Sequence, residues 1–249
     1  MRLLNAETCA LVEHEFSGED IPKYAILSHT WGQEEVSFQQ IRDPIARKMA
    51  GFKKIRSCCE QALQDGLKFA WVDTCCIDKS SSAELSEAIN SMWNWYKNAE
   101  TCYAYLSDTA PDEYFLRRLE ISNFFLSRWF KRGWTLQELI APDDVNFFDS
   151  DWKLIGTKKQ LVGPINRITG IDEAVLLEGR PVLRTVSVAR KMSWAASREC
   201  TRKEDEAYCL IGIFQLSMPP LYGEGSHAFR RLQQLISNYS IDQSIFAFS

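Results

Sequence analysis

Apolar residues along this chain alternate between short continuous runs and longer stretches spaced at three and four, which predicts strands and helices in turn. Residues 1 to 23, with Leu3, Leu4, Leu11 and Val12 ahead of a polar turn at Gly18, Asp20 and Pro22, predict an edge strand or hairpin. Tyr24-Ala-Ile-Leu-Ser-His29 is a run of strand length that ends in the loop Thr30-Trp31-Gly32. From Ile45 to Leu67 the positions Ile45, Met49, Phe52, Ile55, Cys59, Ala62 and Leu63 recur at helical spacing opposite Arg47, Lys48, Lys53, Lys54 and Arg56. That pattern predicts an amphipathic helix with a solvated basic face, broken at Gly66. Phe69-Ala-Trp-Val-Asp73 then predicts a second strand ending in an acid.

Ser81 followed by Glu84 fits a capping box ahead of the stripe Leu85, Ala88, Ile89, Met92, Trp93 and Tyr96. Thr101-Cys-Tyr-Ala-Tyr-Leu106 predicts a third strand, and residues 107 to 123, with Pro111 and the Arg117-Arg118-Leu119-Glu120 run, predict a surface excursion. Trp129 to Leu139 predicts a third helix stopped by Pro142, and Asp144-Val-Asn-Phe-Phe148 a fourth strand. After Gly156 the pattern turns helical: residues 158 to 176 with a stop at Gly170, Val186 to Ala196, a second capping-box candidate at Thr201 and Glu204, and a last helix after Ser226. Alternating strands and helices imply a mostly parallel sheet covered on both faces. We therefore expect one domain, an α/β core over 1–156 with a mainly helical extension over 157–249, since no polar linker separates the two.

Composition narrows the class. Hydrophobic residues are 45% and charged ones 25% of the 249 residues, as in ordinary globular proteins. A net charge of -4 brings no basic excess for a nucleic-acid backbone, so no nucleic acid is expected as partner. Cys58 and Cys59, like Cys75 and Cys76, are adjacent, and Cys9, Cys102, Cys200 and Cys209 fall in apolar segments, which predicts buried free thiols in a reducing compartment. No secretory leader and no run of eighteen apolar residues occurs, so a cytoplasmic protein without a membrane span is expected. His14, His29 and His227 are far apart in sequence and away from any CxxC pair, and no metal site is predicted.

In an open parallel sheet, ligands collect beyond the carboxyl ends of the strands. The residues carried there are Ser28 to Gly32, Asp73 to Asp78, Ser107 with Asp108, and Asp149 with Trp152. Ser28 and Thr30 offer donors for phosphates, Gly32 close backbone approach and Trp31 a stacking face, although the same residues also suit a plain turn. His29 with one of the acids offers an acid–base pair, while no Ser-His-Asp order, Walker A spacing or GxGxxG is present. Cys75 and Cys76 fit a packing role better than a nucleophile. Arg128 to Arg132 suits either a pyrophosphate or the solvation of a helix start. Glu138, in a segment with two tryptophans and a phenylalanine, is either a surface helix residue or the polar end of an apolar wall.

Tyr24-Ala-Ile-Leu-Ser-His-Thr-Trp-Gly32, Trp71-Val-Asp-Thr-Cys-Cys-Ile-Asp78, Ala88-Ile-Asn-Ser-Met92 to Trp95-Tyr-Lys-Asn-Ala99, Ser127 to Pro142, Asp205-Glu-Ala-Tyr-Cys-Leu-Ile-Gly212 and Pro220-Leu-Tyr-Gly-Glu-Gly225 together resemble the fungal heterokaryon incompatibility domain over nearly the whole chain. The resemblance implies an effector of regulated cell death, often the N-terminal part of a receptor with a nucleotide-binding oligomerisation module and repeats. A regulatory module in cis or trans is thus expected, as is a natural protein extending past Ser249.

That domain is in turn similar to the TIR domain, which implies a flavodoxin-like sheet and, in enzymatic members, cleavage of the nicotinamide glycosidic bond of NAD. Their essential glutamate lies in a Trp-Cys-x-x-Glu-Leu-like pattern, which Trp134-Thr-Leu-Gln-Glu-Leu139 resembles with threonine for cysteine. The likeness implies Glu138 as the catalytic carboxylate and NAD or a related dinucleotide as substrate, with no prosthetic group. Trp31 or Trp134 would stack on nicotinamide. Ser28, His29 and Arg132 would serve the ribose and phosphates, with Thr30, Gly32 and Asp73 on the same rim. It also implies a homo-oligomer as the active form. The alternatives are a non-enzymatic adaptor that self-associates through the aromatic rim and Arg128 to Arg132, and hydrolysis of another nucleotide or a nucleic acid in the same cleft.

Overall fold

The short apolar runs pair into one seven-stranded sheet built from β1 (Leu4–Asn5), β2 (Ala10–Leu11), β3 (Ala25–His29), β4 (Phe69–Trp71), β5 (Thr101–Tyr105), β6 (Val145–Phe148) and β7 (Leu154–Thr157). The order across the sheet is β2-β1-β4-β3-β5-β6-β7. Strands β4, β3, β5 and β6 run parallel, while β1 and β2 at one edge and β7 at the other are antiparallel additions. Every residue of β3 is buried, as expected for a central strand covered on both faces. The chain leaves β3 toward β4 and then returns to its other side with β5, so the sheet has its switch point at the carboxyl ends of β3 and β5. This computed structural model describes residues 1–110 and 123–247; Pro111 and the Arg117 to Glu120 run lie outside the described residues.

The core's helices are α1 (Phe52–Gln64), α2 (Asp73–Cys76), α3 (Ser82–Asn98), α4 (Asn123–Leu126) and α5 (Thr135–Ile140). The extension holds α6 (Val162–Thr169), α7 (Glu173–Glu178), α8 (Arg180–Leu183), α9 (Val188–Ala195), α10 (Asp205–Tyr208) and α11 (His227–Tyr239). The N-terminal hairpin, the four parallel strands, the Gly170 stop at φ 68° and the late helices follow the sequence pattern. Edge strand β7 does not. It is half exposed, contains Gly156 and is reached through a turn with Trp152 at φ 63°, so it carries no apolar alternation to reveal it.

Five predicted features change. The helix expected from Ile45 begins only at Phe52, because Gly51 donates its N–H to the Glu34 carbonyl at 2.9 Å and a Cβ there would lie 2.2 Å from that oxygen. Residues Pro44–Lys48 form a separate 3-10 turn capped by Asp43. Lys54, expected on the solvated face, is buried. The helix expected from Trp129 splits into a 3-10 turn over Arg128–Lys131 and α5, since the Thr135 hydroxyl donates to the Trp129 carbonyl at 2.5 Å and closes a turn between them.

Ser81 caps α3 as predicted by accepting from the Glu84 N–H, but Glu84 turns away to accept from the Asp78 N–H at 2.8 Å. The second capping box does not form. Glu204 instead accepts from the N–H groups of Gly223 and Gly225 at 2.8 and 3.0 Å, tying the proline- and glycine-rich connection to α10. Among the described residues no helix is long and apolar enough to cross a membrane.

The extension is seated on the core at Gly212, where a Cβ would lie 2.5 Å from Trp93 Cβ and 2.9 Å from Gln137 Oε1. Gly212→Ala therefore drives a methyl into the junction of α3, α5 and the extension. It is expected to cost about 2–3 kcal/mol in chemical denaturation. An unchanged midpoint would show that the junction yields without strain.

Candidate active site

The parallel arrangement delivers His29 from the end of β3 and Asp73 from the start of α2, just after β4, to one edge of the sheet, and α5 brings Glu138 beneath them. His29, Trp31, Asp73, Arg132, Trp134 and Glu138 line a cavity of about 310 Å³. Leu85, Ala88, Ile89 and Met92 of α3 form an apolar wall, and Thr201, Arg202, Asp205 and Tyr222 of the extension form the opposite, polar one. The volume sits near the lower end of ligand pockets, roughly 300–1,000 Å³, and suits one nucleoside-sized half of a larger ligand.

Glu138 is 8% exposed, and of the two sequence readings the buried one holds. Trp129 donates its indole N–H to Ser28 Oγ at 2.8 Å, and because an indole is a donor only, the serine hydroxyl must spend its own proton elsewhere. That proton goes to Glu138 Oε2. Burial pushes the Glu138 carboxyl up to about 8, the Ser28 hydrogen bond pulls it down, and the negative charge of Asp73 pushes it up again. Tyr96, which donates to the Leu27 carbonyl at 3.0 Å, also approaches the carboxylate. Lys158 holds the far end of α5 by donating to the carbonyl oxygens of Leu139, at 3.3 Å, and Pro142.

Asp73 organises the mouth. Its Oδ1 faces His29 Nε2 at 3.0 Å, and its Oδ2 accepts from Trp31 Nε1 at 2.9 Å and Lys79 Nζ at 3.3 Å. Burial alone would raise its pKa, but Lys79 and His29 outweigh that and hold it well below the carboxylate range. Lys79 Nζ also lies 3.7 Å from the centre of the Trp31 ring, pinning a tryptophan that is otherwise 53% exposed. Lys54 Nζ lies 2.8 Å from His29 Nδ1, and an ammonium only donates, so Nδ1 accepts and Nε2–H points at Asp73. Both ring nitrogens are thereby occupied, and His29 serves as a strut rather than the acid–base group its sequence position offers.

On the polar wall, Asp205 accepts from the Tyr222 hydroxyl at 2.9 Å, and burial raises its pKa against the hydrogen bonds of Tyr222 and Trp134. Arg132 donates to Thr201 Oγ1 at 3.2 Å, and Arg202 lies 4.5 Å over the Tyr222 ring.

The other sequence candidates fall elsewhere. Ser28 lies behind the carboxylate, fully buried, rather than on the cavity surface. The Gly32 N–H is taken by Glu35 Oε1 at 2.5 Å, and Thr30 is buried; neither lines the cavity. Asp108 holds Ser127 Oγ at 2.7 Å and the Arg128 N–H at 2.8 Å, while Asp149 closes its own turn and Trp152 stacks on Phe148, all structural roles. Cys75 and Cys76 are packed in the core. Sequence reasoning passes over Lys79, Tyr96, Thr201, Arg202, Asp205 and Tyr222 as residues of the site. The available signal was that Asp205 and Tyr222 lie within long motifs whose apolar positions already account for the packing.

Residues 24–123 match the family model described as heterokaryon incompatibility protein (HET). The chain is also 46% identical over 246 residues to the vegetative incompatibility protein HET-E-1 of Podospora anserina, a similarity that covers 95% of this chain and 18% of that relative. The chain therefore corresponds to less than a fifth of the relative's length. No solved structure matches it.

Proposed function

The chain carries a heterokaryon incompatibility domain, and we propose that its cleft cleaves the nicotinamide–ribose bond of NAD with Glu138 as the essential carboxylate. The observation that carries this reading is a buried carboxylate, held by Ser28, at the floor of a nucleoside-sized cleft with indole and guanidinium groups around it. When the glycosidic bond of NAD breaks, its electron pair leaves with nicotinamide, which departs neutral, and the ribose carbon becomes cationic. A fixed, ionised carboxylate facing that carbon stabilises the charge as it develops. Water then adds to the carbon and releases a proton. Trp134 and Trp31 offer stacking faces for nicotinamide, and Arg132 with Arg202 offers cations for the diphosphate.

The same reading gives the domain a part in fungal incompatibility cell death; vegetative incompatibility is what its relative is named for. In that setting it acts as the effector of a longer protein, or of a receptor module in trans, and is completed by self-association. The test is chromatographic measurement of nicotinamide released from NAD by the purified chain, alone and fused to an oligomerising partner. Release from the fused form is expected. Cell killing with cellular NAD unchanged would instead favour a non-enzymatic adaptor.

Ser28→Ala gives a graded check. It removes the hydrogen bond that favours the ionised carboxylate, so the pKa of Glu138 rises further above about 8. Turnover at neutral pH is expected to fall by about tenfold, with the rising limb of the pH–rate profile displaced to higher pH. A uniform loss at all pH values would assign Ser28 a packing role only.

A further inference from the structure

We propose that Cys200 and Cys209 form a redox-active dithiol whose oxidation to a disulfide staples the polar wall of the cleft. The two thiols share a hydrogen bond, Cys200 half-buried and Cys209 buried. They meet over Gly133, where a Cβ would lie 2.3 Å from Cys200 Sγ and 3.1 Å from Cys209 Sγ. The missing side chain leaves the room in which the sulfurs approach. Both also line a second cavity of about 330 Å³, with Arg198, Met192 and Phe229, which gives a small oxidant a route to them.

Cys200 differs in reactivity from the fully buried thiols, among them Cys209, whose pKa is raised by its bond to Cys200 and by burial. The hydrogen bond from Cys209 lowers the Cys200 pKa, with Arg132 adding to the effect, while burial raises Cys58 and Cys102. The segment between the two cysteines carries Thr201, Arg202 and Asp205, three residues of the cleft's polar wall. Gly133 itself donates its N–H to the Glu199 carbonyl at 3.0 Å and directly precedes Trp134. A bond between the sulfurs therefore closes a short loop around one wall of the cleft and presses on the entry to α5.

The oxidant is a hydroperoxide. The Cys200 thiolate attacks its terminal oxygen, the O–O bond breaks, and the remaining oxygen leaves as hydroxide or alkoxide, giving a sulfenic acid. The Cys209 sulfur then attacks the Cys200 sulfur, the S–O bond breaks, and the hydroxyl departs with the Cys209 proton as water. Two thiols are oxidised for each hydroperoxide reduced. Drawing the sulfurs from hydrogen-bond to covalent distance shifts Cys209, which follows α10 directly, and with it the Asp205–Tyr222 contact. Nucleotide binding is expected to weaken, a consequence that rests on the cleft being the NAD site.

The test treats the reduced chain with hydrogen peroxide in a Cys9→Ser background, because the Cys9 thiol, held at about 7 by Cys59, is a competing target. Peptide mapping is expected to find a Cys200–Cys209 cross-link that dithiothreitol reverses and Cys200→Ser abolishes. Hydrogen exchange at 201–206 is expected to slow on oxidation, whether or not any nucleotide binds. A Kd for ADP-ribose about tenfold higher in the oxidised form completes the prediction. Thiols left unreacted, a cross-link to other cysteines, or unchanged exchange would overturn the proposal. Failure of both redox forms to bind nucleotide, with the cross-link and slowed exchange present, would count against the NAD reading and leave the staple standing.

Discussion

Glu138→Gln is expected to lower nicotinamide release by at least about a thousandfold while changing the KM for NAD only a few-fold. The amide keeps the shape of the side chain and an oxygen that accepts from Ser28, but it presents no charge to the cationic ribose carbon. The loss should therefore fall on kcat. In wild type, turnover should rise with pH through about 8, the value to which burial lifts the carboxyl, because the ionised form does the work. The variant's residual rate should lack that limb. Wild-type turnover in Glu138→Gln would remove the residue from its role.

The same substitution has an opposite effect on stability. Burial, the largest influence, lifts Glu138 from its ordinary 4.5 to about 8 in the folded chain. Between those values the native state holds a proton that the unfolded state has released. Its contribution to stability is thus complete below the unfolded pKa and lost as pH rises through the folded one. Glutamine has no proton to lose, so the variant's stability advantage should grow with pH, reaching on the order of a few kcal/mol in alkaline buffer. Melting curves at pH 5 and pH 9 measure it. An active site that costs stability in this way fits a group kept for chemistry rather than for packing.

How far the sequence could be followed depended on whether a residue's role was local. Tyr24 to His29, Thr101 to Leu106 and the stripe from Leu85 to Tyr96 announce themselves because burial on a sheet or a helix face leaves a period in the sequence. Lys54 does not, since its position among basic residues reads as solvated surface while its ammonium lies between His29 and Glu35. Gly51 delays a predicted helix through its contact with Glu34, a partner distant in sequence that no window includes. Within the site, Glu138 was reached by likeness of its motif, and Asp73 by its place at the end of a strand. Asp205 and Tyr222 were hidden because their cavity forms only when the extension folds back on α3 and α5.

Asp73→Asn is expected to raise the KM for NAD by about a hundredfold, close to 2.7 kcal/mol, and to move the pH–rate limb toward acid. The carboxylate has two acceptor oxygens and faces three donors, His29 Nε2, Trp31 Nε1 and Lys79 Nζ. Asparagine offers one oxygen and turns an NH₂ toward the others. His29 cannot relieve the clash by changing tautomer, because Lys54 already donates to its Nδ1. Either the histidine strut or the Trp31–Lys79 pair is released, and the mouth of the cleft loses its shape, at a stability cost of about 2–3 kcal/mol. Removing the Asp73 charge also removes a repulsion that holds Glu138 up, so more of that carboxylate is ionised at neutral pH. The two effects oppose each other in kcat/KM but separate in its parts: KM rises, while kcat below pH 7 holds or increases. An unshifted limb with unchanged KM would show that Asp73 neither shapes the mouth nor acts on Glu138.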